Sequence, residues 1–160
     1  MLISFHGLPK RSLELGDPYF CECHKTGRLL AERLKLEENQ YRICFQSRFG
    51  KAEWLQPYTA PTLEAWGKQG INRVDVICPG FVADCLETLE EIAQEGKHDF
   101  LSAGGGSCHY IPALNDDPAW IAALANLCER HLGGWDTRTP SNPEALETAR
   151  REALRHGADT

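Results

Sequence analysis

No stretch of this chain approaches the roughly 18 consecutive apolar residues of a membrane span. The opening Met1-Leu2-Ile3-Ser4-Phe5 is too short, and lacks the basic start, for a secretory signal. The lysines and arginines form no long basic block and the formal charge is -6, which argues against a general nucleic-acid binder. The seven cysteines are odd in number and scattered, without the spacing of a secreted disulfide scaffold, so reduced thiols in a cytoplasmic protein are expected. Gly104-Gly105-Gly106 has neither the GxGxxG spacing nor the Lys-Ser/Thr of a P-loop and is assigned no nucleotide role. No internal repeat or low-complexity segment is present.

What is present suits one globular domain with a short tail: 160 residues, 42% hydrophobic and 25% charged. Leu2 to Phe5 reads as a buried strand, and a strand at the first residue suggests further sequence upstream. A turn containing Gly16-Asp17-Pro18 leads to a helix from Tyr19 to Leu36, and Tyr41 to Gln46 is a strand of aromatic and β-branched type. A loop from Ser47 to Pro57 precedes a helix around Pro61 to Gly67, then a strand from Val74 to Cys78 ending in Pro79-Gly80. The acidic segment Asp84 to Glu95 is the next helix, with a short apolar run at Phe100-Leu101 as the fourth strand-like segment. Pro118 to Leu132 is helical, and beyond Gly133-Gly134 a linker leads to a polar helix capped at Asn142-Pro143 and ending near His156. Strands alternating with helices, without a hairpin signal, predict an α/β fold with an open parallel sheet covered on both faces. The expected division is a domain over 1–135 and a polar linker and tail helix over 136–160.

At roughly 100° per residue, Asp84, Glu87, Glu91 and Glu95 fall within an arc of about 80°, opposite Leu86, Leu89, Ile92 and Ala93. Such a row commonly forms a solvated face, and acids favour a helix's first turn for dipole reasons. Position adds a second reading, because the first acids follow the carboxyl end of a strand, where open α/β sheets bind ligands. His6 also stands at a strand end, between a structural hydrogen-bonded role and a chemical one. If the strands beginning at Leu2 and Val74 are neighbours, His6 and Glu87 can face one pocket, and an imidazole with a carboxylate suits ferrous iron or proton relay. Cys21-x-Cys23-His24 does not have the spacing of a zinc knuckle. Trp54 and Tyr58 are either core aromatics or the floor of a pocket for a flat conjugated ligand.

Five stretches in order resemble the C-terminal half of the ferrochelatases, most of all the bacterial ones: Ser4-Phe-His-Gly-Leu-Pro9, Gly16-Asp-Pro-Tyr19, Phe45-Gln-Ser-Arg-Phe-Gly50 with Trp54-Leu55, Cys78 to Ile92, and Tyr110-Ile-Pro-Ala-Leu-Asn115. The similarity covers about residues 1 to 133. It implies a chelatase-like domain, one Rossmann-like domain of the usual two, acting in insertion of ferrous iron into protoporphyrin IX to form protohaem. It implies His6 and Glu87 as catalytic and metal-contacting residues facing each other across the porphyrin. Asp84, Glu91 and Glu95 become a proton or metal relay on a helix locally widened toward π form, and Trp54 a pocket-wall aromatic. The family's N-terminal domain has no counterpart here, so the resemblance implies a partial chain, to be completed by that domain or by a second copy. The tail from Asp136 lacks the cysteine cluster that binds a 2Fe-2S group in some members, so no cofactor beyond the substrate iron is expected. The alternatives are a small homodimeric tetrapyrrole chelatase and a binding module that holds porphyrin, haem or iron without turnover.

Overall fold

The structure is a computed structural model that describes residues 1–135 and 142–159. Its contacts divide the chain into Met1–Asp117 and Pro118–Thr160. The second unit contributes the helices α6 (Pro118–His131) and α7 (Pro143–Arg155), neither with a buried residue. Asn142 caps α7 by accepting hydrogen bonds from the N–H groups of Glu144 and Ala145, as the Asn-Pro start predicts. The linker expected from Asp136 falls largely on 136–141, outside the described residues.

The first unit is built on four parallel strands, β1 (Leu2–His6), β2 (Arg42–Gln46), β3 (Arg73–Ile77) and β4 (Ser107–Ile111), in the order β2-β1-β3-β4. The expected α/β architecture is therefore present, with apolar layers on both faces of the sheet. Side chains alternate along β1. Leu2 joins Cys44, Val74 and Val76 in a layer with Leu63, Ile92 and Phe100. Ile3 and Phe5 join Phe45, Cys23 and Leu55 in the other layer. Burying side chains the size of Phe45 or Phe100 contributes about 2–3 kcal/mol each.

That alternation positions the chemistry. Ser4 and His6 share the face of Leu2, and Gln46 shares the face of Cys44. The chain leaves β1 through α1 (Lys10–Glu14) and α2 (Tyr19–Leu34) to β2 on one side. It then returns through α3 (Thr59–Lys68) to β3 on the other. This reversal sets a crevice at the carboxyl ends of β1 and β3, the place where open parallel sheets take ligands.

Two elements differ from expectation. Phe100-Leu101 is not strand-like but belongs to α5 (Lys97–Ser102), from which Phe100 is fully buried in the core. The fourth strand starts later, at Ser107, after Gly105 passes against the Phe100 ring and Gly106 against Asn72, approaches that leave no room for a Cβ. The acidic segment is not one regular helix either. It comprises α4 (Leu86–Leu89), a π-helical turn (Glu91–Gly96) and then α5.

Candidate active site

Strand β1 delivers His6 to the crevice, in register with Gln46 at the end of β2. The ring Nδ1 lies 2.7 Å from the Gly7 carbonyl oxygen. A carbonyl only accepts, so Nδ1 carries the proton and a neutral ring keeps its lone pair on Nε2. The imidazole stands between two aromatic rings, with centroids 6.3 Å from Trp54 and 6.4 Å from Phe81. Trp54 reaches it because residues 53–55 run antiparallel to 8–10, with hydrogen bonds from Leu55 N to Leu8 O and from Lys10 N to Glu53 O, both 2.9 Å. Gly7 is required beneath the indole: a Cβ there would stand 2.8 Å from Gln46 O and 3.0 Å from Cε3 of Trp54.

The acidic residues separate into three situations. Asp84 lies ahead of α4 and is a fastened carboxylate. It accepts from Tyr110 Oη at 2.7 Å, Asn115 Nδ2 at 2.8 Å, Thr88 Oγ1 at 3.1 Å and Ala113 N at 3.3 Å. These bonds, Asn115's first, hold its carboxyl below the usual range. Glu91 is also tied down, by Ser47 N and Ser47 Oγ at 2.6 Å each and by Gln46 Nε2 at 3.3 Å. Glu87 keeps a half-exposed carboxylate, and Glu95 is exposed. A hydrogen bond from the Cys85 thiol, one from its own backbone N–H and the nearby His6 hold Glu87 below the usual range.

Glu87, Glu91 and Glu95 line one open hollow of about 370 Å³ together with Ser47, Arg48, Phe49 and Glu90. His6 and Asp84 are not part of that lining. The expected single acidic line is thus a hollow holding three of the acids, with His6 beside it and Asp84 bound to the segment that follows β4. Among the described residues no three His, Cys, Asp or Glu side chains converge as a preformed metal cluster.

Sequence reasoning missed the group that ties these parts together. Gln46 is buried, and its Oε1 accepts from Ser4 Oγ at 2.7 Å while its Nε2 donates to the Glu87 carbonyl at 2.6 Å. Ser4 Oγ lies 2.8 Å from Thr59 Oγ1, which extends the chain of polar contacts into α3. Ser47 takes a left-handed backbone, φ 63°, to aim both its donors at Glu91. Glu91 is drawn toward the end of β2, while Ile92, Gly96 and Phe100 pack into the core. The wider turn accommodates both, with Glu95 N donating to Glu90 O at 2.9 Å, one residue further back than in an α-helix. The Ser4, Gln46 and Ser47 roles were signalled only by their place inside the Ser-Phe-His and Phe-Gln-Ser stretches.

Cys21 is exposed and Cys23 buried, so they do not face a common ligand, and all seven cysteines are free. Tyr58 hydrogen-bonds the backbone of Trp54 and carries the Arg48 guanidinium 5.3 Å from its ring centroid. No helix among the described residues is long and apolar enough to cross a membrane.

Comparison with known proteins follows the same outline. Residues 1–132 match the family model described as Ferrochelatase. The chain is 76% identical over 158 residues to the Ferrochelatase of Dechloromonas aromatica (strain RCB), covering 99% of this chain and 43% of that protein. It is 61% identical over 164 residues to the Ferrochelatase of Janthinobacterium sp. (strain Marseille), covering 99% of this chain and 45% of that one. The same identity over 158 residues holds for the Ferrochelatase of Nitrosomonas europaea, 61%, with 99% and 43% covered. The chain spans less than half the length of these relatives.

Proposed function

Since the chain belongs to the ferrochelatase family, we propose that it supplies one wall of a site that inserts ferrous iron into protoporphyrin IX, and that a second α/β domain supplies the other. The observation that carries this reading is the placement of the His6 ring, whose Nδ1 faces Gly7 O at 2.7 Å and so leaves Nε2 as the ring nitrogen free to meet a substrate. Metalation removes two protons from inward-pointing pyrrole nitrogens and replaces water on the metal. A neutral imidazole nitrogen beside a flat aromatic wall can accept a pyrrole proton. Trp54 and Phe81, flanking that ring, offer apolar surface to the macrocycle.

Glu87 is the carboxylate near His6, and Cys85 and its own N–H hold its pKa below the usual range. It takes the proton onward or contacts iron. Glu95, also on the hollow, extends the route toward solvent. Glu91 and Asp84 serve differently in this scheme. Their carboxylates are occupied by fixed donors, so they shape the turn and supply charge instead of exchanging ions. Iron enters as substrate and leaves in the product. We assign no resident cofactor and a cytoplasmic location.

His6→Ala tests this reading in a protein where these residues are joined to a matching N-terminal domain. Insertion of zinc or iron into a soluble porphyrin should fall by at least about 100-fold, the scale of losing a positioned base or ligand. Insertion at the unsubstituted rate would remove His6 from the reaction.

A further inference from the structure

The Gly16-Asp17-Pro18-Tyr19 turn lies away from the reacting groups, yet it ends on His6. Gly16 takes φ 92°, which lets the chain reverse after α1. Asp17 N donates to Ser12 O at 3.0 Å, and Asp17 Oδ1 accepts from Tyr19 N at 2.9 Å. Tyr19, the first residue of α2, is thereby set with its hydroxyl 2.8 Å from the main-chain carbonyl oxygen of His6. The other polar end of that peptide group, Gly7 N–H, donates to Gln46 O at 2.8 Å. One peptide plane is thus held at both ends, immediately after the residue whose ring must be aimed.

We propose that this turn is a positioning device for His6, with the Tyr19 hydroxyl as its acting group. Fixing the His6-Gly7 plane fixes the Cα–Cβ direction of His6 and keeps Gly7 O within reach of Nδ1. The ring then holds one tautomer, with Nε2 facing outward. Partial burial, aided by the neighbouring Cys23, raises the Tyr19 phenol above its ordinary value, in keeping with a hydroxyl that donates to His6 O. The proposal rests on the reading of His6 as the reacting group, and its test separates the two.

The test is nitrogen NMR of the histidine rings in the full 160-residue chain, unsubstituted and as Tyr19→Phe. The unsubstituted protein should give the His6 shifts of a single Nδ1–H tautomer. Tyr19→Phe should average them toward a tautomer mixture while the rings of His98 and His109 stay unchanged. Asp17→Ala, which keeps the hydroxyl but frees the first turn of α2, should move His6 the same way and covers the case of a poorly folding Tyr19→Phe. Unchanged His6 shifts in a folded variant overturn the proposal. In the two-domain protein, Tyr19→Phe should lower kcat about fivefold to tenfold, the scale of one hydrogen bond, with KM unchanged. It should have no further effect in a His6→Ala background. A His6→Ala protein that keeps full activity would sink the catalytic reading, while the ring shifts would still decide the positioning one.

Discussion

His24 packs its ring 4.3 Å from that of Phe20, and its buried Nε2 has no hydrogen-bond partner among the described residues. Burial lowers its pKa below the ordinary 6.5. The unfolded chain therefore takes up the proton at 6.5 while the folded chain does not. The stability contributed by the neutral ring is complete above that pH and is lost as the pH falls below it. Thermal melting should be flat in this respect from pH 7 to 8 and decline on acidification below about 6.5, and His24→Leu should reduce that decline. An unaltered acid slope in the variant would assign it elsewhere. Glu87 gives the complementary residue-scale prediction. Glu87→Gln keeps the shape and removes the charge, so turnover should fall by about 100-fold while porphyrin affinity, read by fluorescence titration, changes little. Collapse of affinity with turnover of bound substrate retained would make Glu87 a binding group.

The π turn from Glu91 to Gly96 costs regular hydrogen bonding in a segment whose flanks are α-helical. Deleting the exposed Gln94 closes the turn to α geometry, which keeps the buried Gly96 and Phe100 near their places but draws the Glu91 carboxylate away from Ser47. The variant should melt no lower than its parent and lose metal insertion by about 100-fold, as expected for a misaligned carboxylate. Retained insertion would make the turn a packing feature only. The elements were unequally legible in the sequence. Leu2 to Phe5, Tyr41 to Gln46 and Val74 to Cys78 announced themselves as strands by β-branched and aromatic runs bounded by Gly and Pro. Ser107 to Ile111 did not, since its alternating Ser, Cys, His and Tyr are only partly apolar, and Phe100-Leu101 drew the assignment to a helix instead. The π turn was readable only through family resemblance, because periodicity assumes the very 100° rotation that the turn abandons. Gln46 and Ser47 escaped for another reason. A buried amide leaves no pattern in the sequence, and its partners Ser4 and Glu91 become neighbours only once the strand order β2-β1-β3 is known.

At the scale of the molecule, the first unit holds a four-stranded sheet with an apolar layer on each face, yet the proposed site lies in an open crevice at the carboxyl end of the strands. The hollow beside Glu87 has Phe49 and Leu86 in its lining with 84% and 69% of their surface exposed, so on this wall alone a porphyrin would keep one face in water. Water there screens His6 and Glu87 and leaves nothing to bend the macrocycle from the opposite side. The chain by itself should therefore show the circular dichroism of a folded α/β protein and little catalysis. The most direct measurement is the rate of zinc insertion into a soluble porphyrin by residues 1 to 160, followed across protein concentration with and without a matching N-terminal domain. The rate should stay near the uncatalysed background at every concentration for the chain alone, with turnover once the second domain is supplied. A rate that climbs with the concentration of the chain alone would point to a homodimeric chelatase, and binding without turnover even with the second domain would point to a holding module. Turnover by a strictly monomeric sample of the chain, at the rate of a two-domain ferrochelatase, would contradict the need for a second wall.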